Sequence, residues 1–153
     1  MPRNALRDAG LRTAMTGTAR HLVYMDEPWL LMHWDAEHQC VFAEWRTLAT
    51  SAEFRGALTK VLDVARDNSA FSFVNDTRNL ELVTDQDQRW MRNTWAPLAV
   101  ETGLKKIAVI MAQHWLSRMG IERSFEGRPD TGDHLLSRKF DSVADALLWV
   151  AEP

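Results

Sequence analysis

The chain has 153 residues, 46% of them hydrophobic and 25% charged, with a net charge of −3. That length suits one domain able to bury about 70% of its unfolded surface. The slightly acidic balance gives no electrostatic reason to expect a nucleic acid partner. No apolar run approaches the ~18 residues of a membrane span, and the amino terminus lacks the apolar core of a secretory signal. The one cysteine, Cys40, cannot form an internal disulfide, so the expectation is a cytoplasmic protein. Seven tryptophans are the compositional oddity, and several must be buried or line a groove.

The first 20 residues are locally basic, with Arg3, Arg7, Arg12 and Arg20 against Asp8, and residues 1–19 read as an amino-terminal arm or short helix. A single α/β domain is expected over residues 20–153. "RHLVYM" (Arg20 to Met25) reads as a strand and "DEP" as its turn. "WLLMHW" (Trp29 to Trp34) is a second strand, "DAEHQ" a turn, and "CVFAEWR" (Cys40 to Arg46) a third strand. Such short polar connections imply an antiparallel meander.

The pattern then changes period. Thr50 or Ser51 caps a helix, and Glu53 completes a capping box from a Thr50 cap. Phe54, Ala57, Leu58, Val61, Leu62 and Ala65 recur at helical spacing to about Arg66. "AFSFVND" (Ala70 to Asp76) is the next strand. Thr84 caps a helix running from Asp85 to about Glu101, and Gly103 suits its exit. Pro97 cannot donate to the carbonyl of Asn93, which predicts a kink or break there.

"KKIAVIMA" (Lys105 to Ala112) is an unbroken apolar run, as in a strand covered on both faces. It is expected to be the central strand, beside Phe71 to Asp76. "QHWLSRMGIERSF" offers a short helix and "EGRPDTGD" an exposed loop. "HLLSRKF" (His134 to Phe140) is the last strand. Asp141 or Ser142 caps a final helix, with Val143, Ala144, Leu147, Leu148 and Ala151 on one face. The order β-β-β-α-β-α-β-α-β-α calls for an α/β fold, a mixed sheet with helices packed on it.

This order resembles the STAS fold of bacterial anti-sigma-factor antagonists, and more closely uncharacterised bacterial proteins described as STAS-like or as related to CRAL-TRIO lipid-transfer domains. The stretches that carry the resemblance are "TSAEFRGAL", "NDTRNL", "TDQDQRWMRNTWAPL", "GLKKIAVIM" and "FDSVADALLWV", over residues 20 to 150 or so. The resemblance implies a serine or threonine, phosphorylated by a partner kinase, at the start of the helix after the central strand. Thr84, Asp85 and Gln86 match that place, but the Asp-Ser-Ser/Thr-Gly pattern is missing. A fixed carboxylate there imitates part of a phosphate's charge and none of its reversibility. The CRAL-TRIO likeness implies an apolar ligand.

In α/β sheets, ligands bind beyond the carboxyl ends of strands, beside the amino termini of the following helices. Asp76 and Arg78 fall at such an end. Either they hold an anion together with the amides near Thr84, or they pair with each other and fix the connection. Trp90 and Trp95 either wall an apolar groove or belong to core or dimer interface. His33, His38 and Cys40 lie near one hairpin, but a metal site would need a further ligand, and neither a metal nor a cofactor is expected.

No G-x-G-x-x-G, P-loop, G-x-S-x-G or H-E-x-x-H is present. The leading expectation is a non-catalytic, STAS-like regulatory module that binds a protein partner or a small apolar or anionic ligand and forms a homodimer. Its candidate binding residues are Asp76, Arg78, Thr84, Asp85, Gln86, Trp90 and Trp95. A carrier or sensor of an apolar ligand in a Trp-lined pocket is the second reading, and an enzyme of unrecognised chemistry the third.

Overall fold

A computed structural model describes residues 21–81, 83–111 and 135–153. Its strands are β1 (His21–Glu27), β2 (Leu30–Asp35), β3 (Cys40–Trp45), β4 (Ser72–Asp76), β5 (Lys106–Ile110) and β6 (Leu136–Phe140). They form one mixed sheet in the order β1-β2-β3-β4-β5-β6. The first three strands are an antiparallel meander, and β3 to β6 run parallel. The expected amino-terminal arm, short helix and "EGRPDTGD" loop lie outside the described residues.

Several boundaries move for physical reasons. Asp26 and Glu27, expected in a turn, continue β1 and pair with Leu31 and Leu30. The turn contracts to Pro28 and Trp29, so Trp29 leaves the strand in which it was expected. A bulge between Val23 and Met25 absorbs the offset. β5 is interior, between β4 and β6, but the middle pair of the sheet is β3 and β4.

Helix α1 (Ser51–Asn68) begins with the expected capping box: the Glu53 amide donates to Thr50 Oγ1, and the Thr50 amide donates to Glu53 Oε1. Its whole predicted stripe is buried, joined by Val64. Phe54, Leu58, Val61 and Leu62 each contribute on the order of 1.5–3 kcal/mol through that burial. Ser69 then closes the helix in the left-handed region, at φ 53°.

The second helical run is α2 (Asp85–Trp90), a π-helical turn (Met91–Trp95) and α3 (Ala96–Thr102). The kink or break expected near Asn93 thus takes the form of a π-helical turn, and the helix continues through it. The Ala96 amide donates to Met91 O, five residues back, and the wider turn accommodates a proline that has no amide of its own. Met91, Trp95 and Ala99 are buried, whereas Leu98, which helical spacing from Met91 and Trp95 would place beside them, is exposed. One residue inserted into the helical repeat rotates the next turn about the axis, and Leu98 points outward.

Helices α1 to α3 cover one face of the sheet. Their core includes Leu30, Met32, Ala43, Trp45, Phe73, Ile107 and Val109. Helix α4 (Val143–Ala151), capped by Ser142 rather than Asp141, covers the other face over β4 to β6. Its inward stripe keeps the predicted Val143 and Leu147 but takes Ala146 and Val150 in place of Ala144, Leu148 and Ala151. Ala144 and Ala151 are exposed, and Leu148 is 66% exposed. The i, i+3, i+4, i+7 spacing from Val143 selects that stripe. No helix among the described residues is long and apolar enough to cross a membrane.

Candidate functional site

Residues of alternate parity point to opposite faces of a strand, so Asp76, the last residue of β4, lies on the α4 face beside its register partner Glu44. Asp76 is buried. Its carboxylate accepts from Arg78 Nε at 2.9 Å and Nη2 at 2.7 Å, and from the Arg78 amide at 3.2 Å. Thr77, between them, donates both its amide and its hydroxyl to Ile110 O, at 3.0 and 2.6 Å. The turn is thereby tied to the end of β5. The hydrogen bond to Asp76 raises the Arg78 pKa, burial opposes this, and the charges of Asp76 and Glu44 add to the rise. On the opposite face, Trp45 Nε1 donates to Asn75 Oδ1 at 2.7 Å.

The start of α2 is built in the same way. Thr84 Oγ1 accepts from the Asp87 amide at 3.1 Å. Asp87 is buried, and its Oδ1 accepts from Ser51 Oγ at 2.6 Å and Arg55 Nε at 2.8 Å. The first turns of α1 and α2 therefore sit side by side. Thr84, Asp85 and Gln86 are exposed around that junction. The Arg55 guanidinium lies 5.3 Å from the centre of the Trp90 ring. Trp90 is half-buried, whereas Trp95 is enclosed, packs on Phe73 and donates to Leu58 O at 2.7 Å. Of the two predicted tryptophans, only Trp90 reaches the surface.

The hydroxyls at these sites are already engaged, Ser51 with Asp87 and Thr77 with a backbone carbonyl. Cys40 is fully buried, and that burial, reinforced by the charge of Asp35, pushes its thiol pKa up and keeps it protonated. The arrangement can hold chain segments and present a surface.

Two of the cavities among the described residues lie elsewhere. One, of about 390 Å³, opens at the amino ends of β4 and β5 and is lined by His38, Phe71, Ser72, Lys106 and Val150 among others. Lys106 Nζ there donates to Trp149 O and Glu152 O, at 3.0 and 2.9 Å, and so closes the end of α4. The other is an open groove of about 540 Å³ between Met25 and Trp29 and the Ala52, Gly56 and Lys60 face of α1. Its tryptophan is one that sequence reasoning placed in a strand.

Sequence reasoning also missed a cluster on β1 and β2. It grouped His33, His38 and Cys40 by their closeness in the chain. Antiparallel pairing instead sets His21 opposite Asp35, with His33 on the same face. His38 Nδ1 lies 2.8 Å from Asp35 Oδ2, and the His38 amide donates to Asp35 Oδ1 at 3.0 Å. Burial lowers the pKa of His33 to about 4; His21 adds to the drop and Asp35 opposes it. The one available signal was the alternation of His21, His33 and Asp35 in two strands joined by a short turn. Comparison with known proteins gives no match: no protein family fits the chain, and neither does any curated protein or solved structure.

Proposed function

We propose that this chain is a non-catalytic, STAS-like regulatory module that binds a protein partner at the carboxyl edge of its sheet. The observation that carries this reading is the internal pairing of the polar groups at that edge. Asp76 is taken up by Arg78, Thr77 by Ile110 O, Thr84 by the Asp87 amide, and Asp87 by Ser51 and Arg55. Pairing of this kind makes a firm platform, not a reactive cleft. On it stand Leu48, 53% exposed in the β3–α1 connection, and the exposed Thr84, Asp85 and Gln86. An isolated apolar anchor rimmed by polar groups suits a protein contact better than an enclosed small molecule. Self-association as a homodimer belongs to the same reading, with the exposed Leu148 of α4 as its candidate contact.

The test is affinity capture from the native cell after cross-linking, using wild type and a Leu48→Asp, Gln86→Ala double variant of equal thermal stability. A partner captured by the wild type and lost by the variant supports the reading. Identical capture by both, or none by either, ends it.

The open groove beside Trp29 favours a second reading, a carrier or sensor of a small apolar ligand. Saturable quenching of tryptophan fluorescence by a medium-chain fatty acid, abolished in Gly56→Leu, would select it over the first.

A further inference from the structure

His21 and Asp35 are register partners on β1 and β2, and His33 precedes Asp35 by two residues, so all three side chains project from one face of the sheet. The His21 and His33 rings stack with centroids 4.3 Å apart, and His33 stacks in turn on Phe42 at 5.0 Å. Asp35 Oδ2 is 3.6 Å from His21 Nε2. One ligand atom from each of the three residues lies within 4.8 Å of the other two.

An independent feature points to a missing partner. His33 is nine-tenths buried, yet among the described residues no hydrogen bond reaches either nitrogen of its ring. A neutral imidazole has one donor and one acceptor, and leaving them unmet in the interior is costly. Asp35, also buried, is already oriented by His38, which engages both carboxylate oxygens and leaves lone-pair directions on Oδ2 open.

We propose that His21, His33 and Asp35 bind one divalent transition-metal ion, with zinc the best match to the donor set. Two imidazoles and a carboxylate form a mixed nitrogen and oxygen set that suits zinc and its first-row neighbours, while calcium and magnesium prefer oxygen alone. Three protein ligands leave a fourth position for water. Tetrahedral zinc at ~2.0–2.1 Å from its ligands sets their atoms about 3.4 Å apart, so the cluster must contract by roughly 1 Å. His21 can supply that movement, because it sits at the start of an edge strand with its side chain half exposed. His33 and Asp35 are held independently of His21, the first by its stacking on Phe42 and the second by His38. The site lies at the end of the strands opposite Asp76, so it stands or falls separately from the partner-binding reading.

The experiment uses the full chain, stripped with a chelator and dialysed into metal-free buffer. Zinc is titrated by calorimetry, and cobalt is added as a probe whose visible absorption reports tetrahedral coordination. The expected result is one ion per chain with micromolar or tighter affinity. His21→Ala should weaken it by about 30-fold or more without shifting the urea midpoint, whereas His38→Ala should cost about 10-fold. Asp63→Asn, far along α1 in an exposed pair with Arg66, should leave binding unchanged. His33→Ala removes a packed ring and need not fold, so His21→Ala and the cobalt spectrum carry the decision. No saturable binding below about 100 µM zinc, or wild-type affinity in His21→Ala, overturns the proposal.

Discussion

Arg78 grips the carboxylate of Asp76 through both Nε and Nη2, although the two residues are separated only by Thr77. Asp76 is 3% exposed, and a third of the Arg78 side chain reaches solvent. The pair is therefore asymmetric. Without the Arg78 side chain the buried carboxylate loses its charge partner and keeps only the backbone amide of residue 78, while without Asp76 the guanidinium can rehydrate. Arg78→Ala is expected to cost more than Asp76→Asn, roughly 2–3 against 1–2 kcal/mol. A double-mutant cycle by urea denaturation should give a coupling of about 1–2 kcal/mol. Additive effects would mean that the pair is only a surface contact.

Gly56 lies on the groove side of α1, where an added Cβ would meet nothing within 4 Å. Glycine costs a helix interior roughly 0.5–1 kcal/mol relative to alanine, mostly in unfolded-state entropy. Gly56→Ala should stabilise the chain by that amount, raising the melting temperature by about 1–4 °C in a domain of this size. Calorimetry showing destabilisation would place an unrecognised contact at this position.

The two tryptophans of the second helical run should separate cleanly. Trp95 is 1% exposed and hydrogen-bonded to Leu58 O, so Trp95→Ala is expected to cost about 3–5 kcal/mol, mostly through the cavity it leaves. Trp90 is half-buried beneath Arg55. Its replacement by alanine should cost about 1–2 kcal/mol and leave a folded chain in which partner capture and dimerisation can be measured. Equal losses for both in denaturant titrations would show that Trp90 is core.

Cys40 is enclosed, and its thiol is held in the protonated form. A thiol disulfide reagent at pH 8 should therefore label it only as fast as the chain opens, with full labelling in denaturant. Rapid stoichiometric labelling of the native protein would show that the β2–β3 turn exposes the sulfur.

Local chemistry determined much of this protein in the sequence itself. Three helix starts were legible to within a residue, at Thr50 or Ser51, at Thr84, and at Asp141 or Ser142, because a cap is a contact made within three residues of its own position. The six strands were legible for the same reason, since alternation and turn residues act over a few positions. Only tertiary structure decided the rest. The order of strands depends on pairing between segments far apart in sequence, so β5 could be recognised as interior without its place beside β6 being fixed. Pro97 announced a disturbance, and packing of Trp95 against Phe73 and Leu58 resolved it as a wider helical turn instead of a break. Leu148 fits a helical repeat but faces outward, because the sheet selects only one stripe of α4. His21, finally, stands twelve residues before His33 in the chain and in stacking contact with it in the fold, because antiparallel pairing brings together what sequence separation hides.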